Sequence, residues 1–196
     1  MADQRVEQFT SWGSRVLGGV GVVLALGAVV LGIPGIGTTY HPAVYAFCVL
    51  ASVVLWVALI RPAVAVVGDD LVLHNPLSSV RVPLAAIEHV VVRQWLTVSA
   101  GGRRFTSSGV GRSSLQAMRD DRRGPVTGVE MARLSHGAIV EHRIDKLADE
   151  ARTLQGVARY SDEQQALADD VRREWAWVEI ALLVVAALAF AITLFL

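Results

Sequence analysis

The sequence predicts an α+β membrane protein: three transmembrane helices, and between the second and third a small antiparallel β-barrel or sandwich followed by helices. Three observations predict it. Three blocks of apolar residues are long enough to cross a bilayer, short turn-punctuated β-like runs fill the stretch after the second block, and the basic residues are distributed with complete asymmetry along the 196-residue chain.

Of the residues, 53% are hydrophobic and 18% charged, against about 25% charged in an ordinary soluble domain. The apolar excess is confined to the three blocks. Val16 to Ile36 holds 21 residues without a charge, Ala43 to Ile60 holds 18, and Ile180 to Leu196 holds 17. About 20 apolar residues of helix cross about 30 Å of hydrocarbon. The third block reaches that length when it starts at Trp175, so that Trp175 and Trp177 lie among the headgroups, where tryptophan is favoured. The first block is longer than the apolar region of a cleaved leader, and Gly35-Ile36-Gly37-Thr38-Thr39 is a poor cleavage site. An uncleaved span is therefore expected, with Pro34 ending or kinking it.

Orientation follows from Lys and Arg. Arg5 and Arg15 precede the first block, the other 16 lie between Arg61 and Arg173, and none falls between Gly37 and Pro42 or after Arg173. The positive-inside rule then places the N-terminus and residues 61–176 in the cytoplasm of a multi-pass plasma-membrane protein. Arg15, Arg61, Arg172, Arg173, Trp175, Trp177 and Glu179 are the expected membrane-interface residues. Glu179 is the one ionisable residue within a block, which calls for a partner or a place near the surface. An ion pair with Arg15 or Arg61 is the plainer reading, and a proton relay has no further charged group in the spans to work with.

The first span carries Gly18, Gly21, Ala25, Ala28, Gly32 and Gly35 at alternating spacings of three and four, which puts six small residues on one helix face. In lipid such faces let backbones approach closely. The plainer reading packs this face on another span of the same chain; the sharper one docks a different protein. Cys48, the only cysteine, excludes an intramolecular disulfide and reads as a packing residue.

After Arg61 the period changes. Ala63–Val67, Leu71–His74, Val80–Leu84, Ile87–Arg93, Leu96–Val98 and Arg103–Thr106 read as six short strands. Gly68-Asp69-Asp70, Asn75-Pro76 and Ala100-Gly101-Gly102 supply the turns. Beyond them Ser113–Arg123 reads as a short helix and Arg122–Gly128 as a loop. Glu141–Leu154 reads as an amphipathic helix through Ile144, Leu147, Ala148 and Ala151, ended by Gly156. Ser161 and Gln164 form a capping box. With no Gly or Pro from Asp162 to Leu196, one helix of about 35 residues is expected to run from the cytoplasm through the membrane.

The runs Arg61-Pro62-Ala63-Val64, Asp69 to Leu77 and Val80 to Ile87 resemble the bacterial pleckstrin-homology-like (PH-like) domain of actinobacterial membrane proteins. The hairpin Gly101-Gly102-Arg103-Arg104-Phe105 and the closing stretch Arg173 to Leu183 fit the same family. The resemblance covers about residues 61–110 and the arrangement of spans. It implies a strongly bent antiparallel barrel closed by a helix, and no catalytic residue. Asp69 and Asp70 occupy the first hairpin turn, where fold relatives that bind phosphoinositides are basic, so that mode of binding is not expected.

No catalytic, cofactor-binding or metal-ligating set stands out. His74, His89, His136 and His142 match no compact ligand spacing. Gly109-Val110-Gly111-Arg112-Ser113-Ser114 lacks the Gly-Lys-Ser/Thr ending of a phosphate loop and reads as a flexible exit from the barrel. Residues 61–176 hold 16 basic and 15 acidic groups, too near balance to attract nucleic acid. Arg119, Arg122 and Arg123 are offset by Asp120 and Asp121, as in a solvated face. The expected organisation is an N-terminal tail and two-helix hairpin over 1–60, the PH-like β domain over 61–123, a loop and cytoplasmic helices over 124–174, and the third span over 175–196. The expected function is a non-catalytic binding or scaffold protein, an accessory component of a membrane complex without cofactors. Its partners would be the lipid bilayer and a membrane protein or a second copy of itself. The alternatives are a lipid- or ligand-sensing membrane protein, or a nucleotide-using enzyme with its site around Arg112.

Overall fold

The computed structural model describes residues 6–10, 12–33, 37, 39–111 and 136–195. In chain order these form β1 (Val6–Phe9), α1 (Trp12–Leu31), α2 (Pro42–Leu55) extended by a π-helical turn (Trp56–Ile60), β2 (Ala63–Val67), β3 (Asp70–His74) and β4 (Ser78–Pro83). A 3₁₀ turn (Leu84–Ala86) leads to β5 (Ile87–Val92), β6 (Leu96–Ala100) and β7 (Arg103–Ser107). Then come α3 (His136–Gln155), α4 (Asp162–Leu167), a 3₁₀ turn (Ala168–Asp170), β8 (Arg172–Trp175) and α5 (Trp177–Leu194). The chain divides into two compact units, Met1–Ser11 with Ala63–Glu174, and Trp12–Pro62 with Trp175–Leu196.

The second unit contains the three apolar helices, which span 20, 19 and 18 residues with the π turn counted in α2, each long and apolar enough to cross a membrane. At 1.5 Å per residue they are about 27–30 Å long. Both α1 and α5 pack on α2. Phe47 and Phe190 meet across α2 and α5 with ring centroids 5.7 Å apart. Pro42 fits the start of α2 because its fixed φ suits a first helical position. His41 Nδ1 accepts a bond from the Ala43 amide there. The Tyr45 hydroxyl donates to the Gly32 carbonyl at the end of α1 and accepts from the Tyr40 amide at 3.2 Å. One side chain thus serves backbone groups on both arms of the hairpin.

The first unit is built on two antiparallel sheets, one in the order β1-β2-β3-β4-β8 and one in the order β5-β6-β7. Ala63↔His74 to Val67↔Asp70 and Leu71↔Val82 to His74↔Ser79 fix the register of the first. Gly101 and Gly102, at φ +55° and +69°, make the two-residue turn between β6 and β7, where glycine adopts positive φ without strain. The core joins Val64, Leu71, Leu73 and Val82 of one sheet to Ile87, Val92, Leu96 and Val98 of the other. Val140, Ile144, Ala148 and Ala151 of α3 bury their shared face in it, as the helical spacing predicts, and Gly156 ends that segment at φ +68°.

Neither sheet closes into the expected barrel. Pro83 and the 3₁₀ turn part β4 from β5, and β8 occupies the edge of β4. Along β5 side chains bond the backbone instead. Glu141 accepts from the Val92 amide at 3.0 Å. The Ile87 carbonyl accepts from Arg152 and from Gln164 Nε2 at 3.0 Å, and the same Gln164 nitrogen also donates to the Ala85 carbonyl at 3.1 Å. Covering an edge this way satisfies it without a further strand.

Two other expectations are corrected. Residues 6–9 are not part of a tail: β1 pairs with β2 from Val6↔Val67 to Phe9↔Val64, and Arg143 Nε donates to Glu7 at 3.0 Å. That hydrogen bond holds the Arg143 guanidinium above its ordinary range. The 35-residue helix does not form either. It breaks at the 3₁₀ turn, and residues 172–175 become a strand. Continuing the helix would have placed Asp169 and Asp170 in its interior, where aspartate is a weak helix former, and left the β4 edge unpaired. The predicted helix Ser113–Arg123, the loop Arg122–Gly128 and the effect of Pro34 lie outside the described residues.

Candidate functional site

The small-residue face of α1 meets the second helix of its own hairpin. A Cβ on Gly18 would come within 2.9 Å of Leu59 Cβ and Ile60 Cγ1, one on Gly21 within 2.7 Å of Leu55 Cδ1, and one on Gly32 within 2.7 Å of Tyr40 and Tyr45. Gly19 and Gly27, off this face, have nothing within 4 Å. The glycines therefore stand where backbones need close approach. Ala25 and Ala28 are half-buried, and Gly35 lies outside the described residues.

The predicted interface residues fall into two groups. Arg61 and Glu179 are brought together: Arg61 Nε donates to Glu179 Oε1 at 2.7 Å, with side chains 15% and 17% exposed. Arg15, Arg172, Arg173, Trp175 and Trp177 are exposed. Local structure explains the pairing. The Arg61 amide bonds to the Trp56 carbonyl at 3.0 Å, five residues back, so the last turn before Arg61 is a π turn. One extra residue in a turn rotates the downstream chain by about 100° relative to an unbroken α-helix. Glu179 sits in the first turn of α5, where the helix dipole favours an anion. The pair thus ties the end of α2 to the start of α5 through a charge-assisted bond. Sequence reasoning found both residues; it had no means of choosing Arg61 over Arg15.

Gln164 is a buried polar residue of the sheet unit whose structural role exceeds its sequence signature. The capping box predicts the bond from its amide to Ser161 Oγ, seen at 3.2 Å. Its side chain does not return to the Ser161 amide. It accepts from the Tyr160 amide at 2.6 Å and donates into the β5 edge. Arg152, also buried, pairs with Asp149 as well as with Ile87. Neither residue is left with an unmet polar atom.

Three of the other candidates, His74, Gly109 and Gly111, have structural reasons for their place. His74 Nδ1 lies 3.0 Å from Ser79 Oγ. Gly109 passes Ala63 so closely that a Cβ would lie 2.7 Å from its backbone, and Gly111 passes the Gln94 carbonyl. The glycine-rich run is thus glycine for packing at these two positions; Arg112 to Ser114 lie outside the described residues. A shallow cleft of about 340 Å³ lies between the β6–β7 turn and α4, with Arg103, Asp162 and Asp169 on its walls. Arg103 is turned inward there, donating to the Ala168 carbonyl at 2.8 Å. Among the described residues no three His, Cys, Asp or Glu side chains gather as a metal site would require. Comparison with protein-family models, with curated proteins and with solved structures finds no match to this chain.

Proposed function

We propose that the chain is a membrane-anchored, PH-like binding or scaffold protein of the plasma membrane, non-catalytic, with its N-terminus and residues 61–176 in the cytoplasm. The observation that carries this reading is a sheet unit carried by a chain whose other unit consists of three apolar helices of 20, 19 and 18 residues. Two consecutive antiparallel meanders, β2-β3-β4 and β5-β6-β7, followed by an amphipathic helix that buries one face against them, support the PH-like part. The absence of any Lys or Arg from residues 37–42 and 174–196 supports the orientation. The small-residue face is taken up within the hairpin, so partner binding is assigned to the sheet unit and to the outward faces of α1 and α5.

Affinity purification in mild detergent tests the assembly role: a partner at constant stoichiometry, or a defined self-oligomer, is expected. Recovery of a bare monomer counts against it. Reporter fusions after residue 40 and after Leu196 test the orientation, with both expected on the outer side. A lipid-sensing role is favoured by the exposed pair Arg172 and Arg173 beside exposed Trp175 and Trp177. Arginine and tryptophan together suit an anionic headgroup layer. Replacing both arginines with glutamine and finding unchanged behaviour in anionic liposomes would remove it.

A further inference from the structure

The sheet unit has two chemically unlike ends. At one end lie the start of β2, the β3–β4 turn, the β5–β6 turn and the segment after β7. Their proximity is fixed by several contacts. Ala63 pairs with His74, Asn75 Nδ2 donates to the Thr106 carbonyl at 2.9 Å, Gly109 passes the backbone of Ala63 and Gly111 that of Gln94. The loops at this end, residues 74–78, 93–95 and 108–111, contain no Asp or Glu. They expose Leu77 (41%) and Trp95 (56%), and Arg93 beside Trp95 is also exposed. The opposite end gathers Asp69, Asp70, Glu88, Asp162, Asp169 and Asp170 around the β2–β3 and β6–β7 turns, with Arg103, Arg104 and the buried Arg152 among its cations.

The chain enters the sheet unit at the end whose described loops carry no Asp or Glu. Phe9, the last residue of β1, pairs with Val64, and only Thr10-Ser11 separate it from α1. Only Arg61-Pro62 separate Ile60 from β2. With about 3.8 Å between successive Cα atoms, such links reach little further than the width of one helix.

We propose that this end of the sheet unit rests in the headgroup layer of the bilayer, with Trp95 and Leu77 inserted among the lipids and Arg93 at the phosphates. A tryptophan with an apolar body and a polar N–H suits that layer. The acidic end points to water; among the described residues the loops in contact carry no carboxylate, and that of Glu141 at this end is held on the Val92 amide. The inference rests on the membrane reading above, and goes beyond it by assigning a lipid contact to loops that belong to no span.

The test uses the full chain with Cys48→Ala, carrying one nitroxide-labelled cysteine at a time, in nanodiscs of neutral and anionic phospholipid. The sites are Trp95→Cys, Leu77→Cys, Asp69→Cys on the acidic end, and Leu188→Cys on α5. Collision with oxygen is compared with collision with a water-soluble nickel chelate. Labels at 95 and 77 are expected to give an oxygen-to-chelate ratio several-fold above that at 69 and below that at 188. A ratio at 95 and 77 equal to that at 69, with 188 lipid-exposed, overturns this proposal and leaves the membrane reading standing. Labels at 95 and 77 shielded from both reagents indicate a protein contact and also overturn it. A chelate-accessible 188 overturns both readings.

Discussion

Removing the Arg61–Glu179 pair should loosen α2 from α5 by an amount that a double-mutant cycle can read. Two unit charges about 4 Å apart attract by about 4 kcal/mol at the effective dielectric of a protein near its surface. Desolvation and side-chain ordering take back much of this, and hydrogen bonds to charged groups come out at about 1.5–3 kcal/mol net. The two side chains are 15% and 17% exposed, so solvent screens them less than a surface pair. Arg61 lies beyond the end of its helix, so once alone it can turn towards water, which keeps the loss below the cost of stranding a fully buried charge. The coupling energy from Arg61→Met, Glu179→Gln and the double variant is therefore expected at about 1–2 kcal/mol. Reversible unfolding in mixed lipid–detergent micelles, followed by far-UV circular dichroism, supplies the four stabilities. Arg61→Lys should retain part of the coupling, because an ammonium keeps the charge without the planar fork. A coupling below about 0.3 kcal/mol, the usual scatter of independent sites, would refute the claim that this pair joins the two helices.

Local geometry sets three further outcomes. Gln164→Leu leaves the Ala85 carbonyl and the Tyr160 amide without these bonds and should cost about 2–4 kcal/mol, seen as a lower midpoint of thermal unfolding, while Gln165→Leu, at an exposed neighbouring position, should change it little. Gly109→Ala drives a Cβ into the backbone of Ala63 and should destabilise the sheet unit by about 1–3 kcal/mol, read by resistance to pulse proteolysis. Gly18→Ala should weaken the helical hairpin, because Leu59 Cβ stands too near its own backbone to move aside, whereas Gly19→Ala should be neutral or mildly stabilising; detergent-unfolding midpoints separate the two.

The apolar helices and β2 to β7 were legible because each rests on a local pattern: long charge-free blocks for the helices, alternation between Gly, Asn-Pro and Gly-Gly turns for the strands. What eluded local reading depends on distant partners. Val6-Glu7-Gln8-Phe9 is too short to declare itself a strand, and becomes one by covering the edge of β2. Arg172 to Trp175 has helix-compatible residues on both sides, and the open edge of β4 overrides propensity there. The barrel expectation failed for a related reason. The residues that close the β5 edge are side chains of Glu141, Arg152 and Gln164, up to 77 positions away along the chain. In the apolar unit the glycine spacing marked a close-packed face, and only the structure shows that Leu55, Leu59 and Ile60 occupy it.

The two outer strands of the larger sheet, β1 and β8, have a consequence for how the protein is made. β1 leaves the ribosome well before its partner β2, which lies more than fifty residues downstream, beyond both helices of the hairpin. The other edge is completed by residues that immediately precede α5. Such long-range pairings are slow to form. Val6–Phe9 must wait through the synthesis of two apolar helices, and the sheet acquires its last strand only when the third is about to emerge. Completion of the sheet is therefore a late event in biogenesis, and a chain stalled before Arg172 would present β4 as an open edge to any passing strand.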